Sequence, residues 1–339
     1  MSKSNKIVSS LVIAVAIVII MGAYLLFSPL SRLDSDATIY ITEKDNIDSV
    51  YSKMESICEP VHFVIFKQMM TLVDYSNNIR HGRYEITTAD QILDVFKRMK
   101  NGSQSSVKVT IPPVRTLAQL TSKMSSYLNI DSTDLYNTLR DEGVCRQYGY
   151  DTTSIIAMFI PNTYDIYWDT TIDKFLKRMK RECDKFWQGE RMTKAEAMGL
   201  TPVQVSTLAS IVDEETSFDE EKPIIAGLYY NRLCRGMRLQ ADPTVKFAIG
   251  DFTIKRIHHN MLSIDSPYNT YKHKGLPPGP IRIPTVVAIE SVLNHQHHNY
   301  IFMCAKEDFS GKHNFAVTAE EHMKNAKRYS TSLDKNGIE

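Results

Sequence analysis

Thr201-Pro202-Val203-Gln204-Val205-Ser206-Thr207-Leu208-Ala209-Ser210-Ile211-Val212-Asp213-Glu214-Glu215 opens with the signs of a helix N-terminus. Thr201 can cap, Pro202 takes the first helical position, and Gln204 stands three residues after the cap to complete a capping box. Val205, Leu208, Ile211 and Val212 then recur at three and four and define an apolar stripe. Counting three from Val212 or four from Ile211 reaches Glu215, so only the last of three consecutive acids continues the stripe, and Asp213 and Glu214 rotate away from it. A carboxyl on an apolar face is desolvated. Its pKa rises and it stays protonated near neutrality, the condition for a general acid. The alternative is a helix that stops at Val212 and leaves all three acids as a solvated tip.

The residues that follow weigh on that choice. A second helix is predicted over Lys222 to Cys234 with Gly236 ending it, followed by Met237-Arg238-Leu239-Gln240-Ala241-Asp242-Pro243-Thr244. Further on stand Ser266-Pro267-Tyr268-Asn269-Thr270-Tyr271 and Gly275-Leu276-Pro277-Pro278-Gly279-Pro280-Ile281. Aromatic rings can stack on sugar faces, while amides, hydroxyls and carboxylates can bond sugar hydroxyls and acetamido groups, so these segments suit a saccharide groove. The candidate substrate contacts are Asn231, Arg232, Gln240, Asp242, Thr244, Tyr268, Asn269, Thr270, Tyr271, Pro277, Pro278 and Gly279. The same residue types would equally serve as a network bracing tight turns.

Taken in order, the segments L-A-S-I-V-D-E-E-T, N-R-L-x-x-G-M-x-L-Q-x-D-P-T, Y-N-T-Y and G-L-P-P-G-P-I resemble the YceG-like (MltG) family of membrane-anchored endolytic murein transglycosylases. The resemblance runs from the N-terminal apolar segment to about Tyr329 and is densest from Leu208 to Pro284. It implies that Glu215 is the catalytic residue, and that His313 of Lys312-His313-Asn314-Phe315 belongs to a late H-x-F element near the active site. It also implies a mechanism with one carboxyl instead of the two of ordinary glycoside hydrolysis. Glu215 would protonate the glycosidic oxygen between N-acetylmuramic acid and N-acetylglucosamine, then take the proton of the muramic C6 hydroxyl as a 1,6-anhydro ring closes. No cofactor and no metal is required. The rival readings are a hydrolase that recruits Asp242 as a second carboxyl and a non-catalytic peptidoglycan-binding scaffold. A buried acid argues against the scaffold.

Outward from this region, Ile7 to Phe27 is an apolar run of 21 residues broken only by Ser9, Ser10 and Gly22, long enough for one transmembrane helix. Lys3 and Lys6 precede it, whereas Arg32 is answered by Asp34 and Asp36, so the short N-terminus is expected to stay cytoplasmic. The resemblance makes the surrounding membrane the bacterial inner membrane, with the catalytic part on the outer, periplasmic side. It also implies peptidoglycan strands as substrate and leaves peptidoglycan synthases as candidate partners. With 40 Lys+Arg against 39 Asp+Glu, the chain has no basic excess for nucleic acid. Cys58, Cys145, Cys183, Cys234 and Cys304 lack metal or redox spacing and are expected to be buried apolar residues. His295, His297 and His298 have no neighbouring carboxylate and read as a polar loop.

Laid on itself with an offset of 70 residues, the chain places Ile41, Ile47, Val50 and Met54 on Ile111, Leu117, Leu120 and Met124. Both copies read as a short strand followed by a helix. The Gly/Ser/Asn/Gln-rich stretch from Asn101 to Ser106 reads as a linker. The expected fold class is α+β: a cytoplasmic N-terminus at 1–6, a transmembrane helix at 7–27, a small LysM-like α/β module at 38–106 and a larger mixed α/β YceG-like catalytic domain at 107–335.

Overall fold

The computed structural model describes residues 3–254 and 256–336. The elements run α1 (Lys3–Phe27), β1 (Ala37–Ile41), α2 (Ile47–Glu55), α3 (Pro60–Leu72), β2 (Gly82–Ile86), α4 (Ile92–Asn101), β3 (Ser106–Thr110), α5 (Leu117–Ser125), α6 (Ser132–Thr138) and α7 (Glu142–Gln147). They continue with β4 (Thr163–Tyr167), α8 (Ile172–Phe186), α9 (Glu190–Ala197), α10 (Pro202–Glu215), α11 (Lys222–Cys234), α12 (Asp242–Ile249), α13 (Val286–Leu293), β5 (Phe302–Ala305), β6 (His313–Ala316) and α14 (Ala319–Asn336). The fold is mixed α/β. Its strands pair two by two, β1 with β2, β3 with β4 and β5 with β6.

Two compact units are distinguished. The first comprises Met1–Lys108, Tyr127–Asn129 and Tyr164–Thr170, and the second Val109–Ser126, Ile130–Thr163 and Thr171–Glu339. In the first, β1 and β2 are antiparallel, with Ala37 opposite Ile86 and Ile41 opposite Gly82. Ile39 and Ile41 alternate inward and meet Val50 and Met54 of α2, Phe66 and Met70 of α3, and Ile92, Val95 and Met99 of α4 in one core. α1 is long and apolar enough to cross a membrane at Ile7–Phe27, and none of that window is buried.

The internal echo has a structural counterpart. α2 moved by 70 residues coincides with α5, and the matched residues Ile41, Val50 and Met54 are buried like Ile111, Leu120 and Met124. In each copy the strand and first helix lead to further helix and then to a strand that pairs with the first, β2 with β1 and β4 with β3.

In the second unit α10 is the central helix, contacted by α9, α11, α12 and α13. Its N-terminus is capped as the residue types dictate: Thr201 Oγ1 accepts from Gln204 N, and Gln204 Oε1 accepts from Thr201 N at 2.8 Å. The expected one-sided stripe is corrected, because every residue from Val205 to Val212 is buried. Ser206, Thr207 and Ser210 turn the other faces inward, and the hydroxyls of Thr207 and Ser210 are paired there. Thr207 Oγ1 donates to Val203 O, and Ser210 Oγ donates to Thr207 O while accepting from Ile281 N. Among the cysteines, Cys58, Cys145 and Cys183 are buried as expected, but Cys234 is exposed and Cys304 half-buried, and all five are free.

Candidate active site

α10 carries its last residue, Glu215, to the wall of a cavity of about 200 Å³ lined by Tyr229, Arg232, Gln240, Asp242, Tyr271 and His313, with Met303, Cys304 and Ala305 of β5. The Tyr229 hydroxyl donates to Glu215 Oε1 at 2.5 Å. Glu215 is half-buried, and its pKa is pushed up to about 7 from 4.5. Loss of solvation is the largest cause and the charge of Asp242 adds to it; the Tyr229 hydrogen bond, Lys246 and Arg232 pull the other way. A carboxyl poised near neutrality can give a proton and take one back. Tyr229 is buried, which raises its own pKa well above 10 and keeps it a donor.

The other wall residues are held by specific bonds. The Tyr271 hydroxyl donates to Asp242 Oδ1 at 2.6 Å. Arg232 is 7% exposed and spends its guanidinium on backbone carbonyls, Nε on Ile301 O and Nη1 on Leu239 O, both at 2.6 Å. Gln240 adopts a left-handed φ of 53°, rare for a residue with a side chain, and its N–H is fixed by Thr270 O at 3.1 Å. His313 donates its backbone N–H to Glu221 Oε1 at 2.9 Å, and its Nδ1 lies 3.1 Å from Oε2 of the same carboxylate. Glu221 also accepts from the hydroxyl of Thr216, so one buried acid fixes both His313 and the residue after Glu215.

Six of the residues singled out from sequence therefore meet around one cavity: Glu215, Arg232, Gln240, Asp242, Tyr271 and His313. The others are placed elsewhere. Asn231 donates to His298 O and Tyr300 O, and Asn269, fully buried, donates to Leu262 O and Ile264 O and accepts from Tyr271 N. Thr244 and Thr270 share a buried hydroxyl pair at 2.8 Å that ties α12 to the Tyr268–Tyr271 turn, and Tyr268 packs its ring 4.7 Å from Phe247. After Pro277, the Pro278 carbonyl accepts from Thr153 Oγ1 at 3.5 Å and Gly279 backs onto the Thr153–Ser154 backbone. A Cβ on Gly279 would stand 2.2 Å from Thr153 O, so only glycine fits. None of these eight residues lines the Glu215 cavity.

Asp213 and Glu214 call for a correction, since neither is a solvated tip. Asp213, 4% exposed in its side chain, pairs with Lys222 Nζ at 2.9 Å and accepts from Thr285 N and Oγ1. Glu214 is gripped by Arg115 through Nε and Nη2 at 2.9 and 2.8 Å and by Arg282 Nη1 at 2.8 Å. The residue that sequence reasoning missed is Tyr229. It stands 14 positions after Glu215 among apolar neighbours of α11, where nothing separates it from an ordinary core tyrosine.

The YceG-like family model matches residues 39–328. The chain is 25% identical over 345 aligned residues to the endolytic murein transglycosylase of Streptococcus pneumoniae strain D39, covering 92% of this chain and 62% of that protein. It is 33% identical over 164 residues to the endolytic murein transglycosylase of Bacillus subtilis, covering 48% of this chain and 44% of that one. It thus spans less than two thirds of the length of either relative. A crystal structure of a yceG-like protein from Listeria monocytogenes superposes with a TM-score of 0.56 at 26% identity, over 85% of this chain and 98% of that one. With a family match that runs through both units and includes every residue of the Glu215 cavity, the chain belongs to the YceG-like family.

Proposed function

We propose that the protein is a membrane-anchored endolytic lytic transglycosylase that cuts the MurNAc–GlcNAc bond of nascent peptidoglycan strands, leaves 1,6-anhydro-MurNAc ends and so ends strand elongation. The observation that carries this reading is Glu215, half-buried, hydrogen-bonded by Tyr229 and raised to a pKa of about 7 at the wall of a polar cavity. Protonated Glu215 gives its proton to the glycosidic oxygen, and the C1–O bond breaks with positive charge developing at C1. The carboxylate left behind takes the proton from the muramic C6 hydroxyl, whose oxygen bonds C1. The proton returns to Glu215 and no water is consumed. Asp242 and Gln240, on the wall of the same cavity, would hold the sugar or stabilise the positive charge.

Asp242 supports a second reading, because a carboxylate on the same wall could serve a hydrolase as base or nucleophile. Digestion of purified peptidoglycan followed by mass spectrometry of the muramic ends separates the two. Anhydro ends are expected, and reducing ends would replace this reading with hydrolysis. If Glu215 acts as the acid, kcat/KM falls as pH rises through about 7, because the donor form is lost there. A rate that stays flat from below to well above that value would assign the proton transfer to another group.

We place α1 across the bacterial inner membrane, with residues 1–6 inside and the chain after Ser28 on the outer face, where a synthase elongating the same strands is a candidate neighbour. The β1-α2-α3-β2 arrangement supports a LysM-like glycan-binding role for residues 38–106, and residues 107–335 would act as the catalytic domain. Deleting 38–106 is then expected to weaken retention on insoluble peptidoglycan more than it slows cleavage of a short soluble glycan. Equal losses on both would make the module part of the catalytic apparatus.

A further inference from the structure

The first unit carries an apolar face that the reading above does not use. In α3, Phe66 and Met70 point into the core, while Val61, Val64 and Leu72 are 60%, 55% and 85% exposed. At 3.6 residues per turn these three fall within about 80° of arc along a helix of about 20 Å, so they form one outward stripe. α3 contains no acidic residue, and its only lysine is Lys67. Beside the stripe a groove of about 970 Å³ runs between α3 and the segment after α1, lined by Phe63, Val64, Leu72, Lys67, Arg32 and a single carboxylate, Glu55.

The place of this face in the chain identifies what covers it. Ser28, the first residue after α1, donates to Leu25 O and lies 2.9 Å from His62 Nε2 in the first turn of α3. The strand that leaves α1 is clamped there: Glu59 N donates to Leu30 O, Arg32 N to Ile57 O and Leu30 N to Asp90 O. The N-terminal turn of α3 is thus fixed one hydrogen bond from the end of the apolar run, at the depth where a membrane-crossing helix emerges into the headgroup layer. Val61 and Val64, within a turn of His62, are exposed at that level, Leu72 continues their stripe along α3, and the cations of Arg32 and Lys67 suit lipid phosphates.

We propose that the Val61–Val64–Leu72 face of α3 lies in the outer interface of the same membrane that holds α1, so that the first unit rests on the bilayer instead of hanging from a free tether. Burying the stripe would fix the height and orientation of the first unit over the lipid, which a single helix cannot do. The inference rests on α1 crossing the bilayer, and the test reads that separately.

The full chain is reconstituted into vesicles of phosphatidylcholine and phosphatidylglycerol, with and without brominated acyl chains, and floated on a density gradient. Val64→Trp and Leu72→Trp are the reporters, Glu43→Trp at an exposed turn is the control, and the signal of native Trp168 and Trp187 is subtracted. All three variants replace exposed side chains, so folding is retained. Bromine is expected to quench both α3 reporters at least twice as strongly as the control, as for a helix lying in the interface. Quenching at either reporter no greater than at Glu43→Trp overturns the proposal. So does a blue shift that ignores bromine and grows with the protein-to-lipid ratio, which would assign the face to a second copy of the chain. Failure to float overturns the anchor together with the proposal, whereas floating without α3 quenching leaves the anchor standing and removes only the proposal.

Discussion

Glu215→Gln is expected to lower release of anhydro-muramic ends by at least about 100-fold, the loss typical of removing a general acid–base group. The amide keeps the size of the side chain and still accepts from Tyr229, but it cannot give a proton and then retrieve one. A second, independent signature is thermodynamic. The native carboxyl keeps its proton up to about pH 7, whereas the unfolded chain releases it near 4.5. Between those values the folded state binds more protons, so its stability declines with rising pH and the full penalty is present above pH 7. The amide never ionises. Above pH 7 Glu215→Gln should therefore be more stable than the native protein by on the order of 3 kcal/mol, and below pH 4.5 the two should unfold alike. Anhydro-product release and thermal unfolding at both pH extremes check the pair. An active Glu215→Gln enzyme would end the mechanism, and equal stability above pH 7 would show that the carboxyl is not desolvated.

The position of Glu215 was legible in the sequence, although the physical reason for its burial was not. The capping box fixed the register of α10, and counting by three and four reached Glu215. That count assumed one apolar face, while the helix is enclosed on all of them, with Thr207 and Ser210 bonding within the core. Part of what encloses Glu215 is Tyr229, laid against it by α11, a tertiary contact that no local pattern encodes. The candidate sugar contacts divided for a related reason. An amide or hydroxyl that can bond a sugar can also bond a backbone carbonyl, so residue type did not separate Gln240 at the cavity from Asn269, which closes its own loop. The order of the elements was easier to read, because strand-then-helix grammar is local and the echo placed α5 where α2 recurs.

The acids beside Glu215 behave differently from it, and the difference is measurable. Asp213 rotates away from the Val205–Leu208–Ile211 stripe, yet its carboxylate is buried against Lys222, itself 7% exposed, and holds both the N–H and hydroxyl of Thr285 at the start of α13. Truncating it leaves an ammonium with one remaining partner, the mostly exposed Asp219. Asp213→Ala is therefore expected to cost about 3–5 kcal/mol, as for breaking a buried ion pair. For a unit of this size that lowers Tm by roughly 10 °C. Lys222→Met alone should cost less, because the carboxylate keeps both Thr285 bonds and Arg282 Nε at 3.6 Å. The double variant Asp213→Leu with Lys222→Met removes both charges and should recover much of the loss, since an apolar pair of similar volume tolerates what a lone ion does not. Asp213 acts on the site only by packing α10 against α11 and α13, so activity measured well below Tm should recover with stability in the double variant. Additive losses in the cycle would show that the two charges do not sense each other. A double variant that is stable but inactive would move Asp213 from the scaffold into the catalytic apparatus.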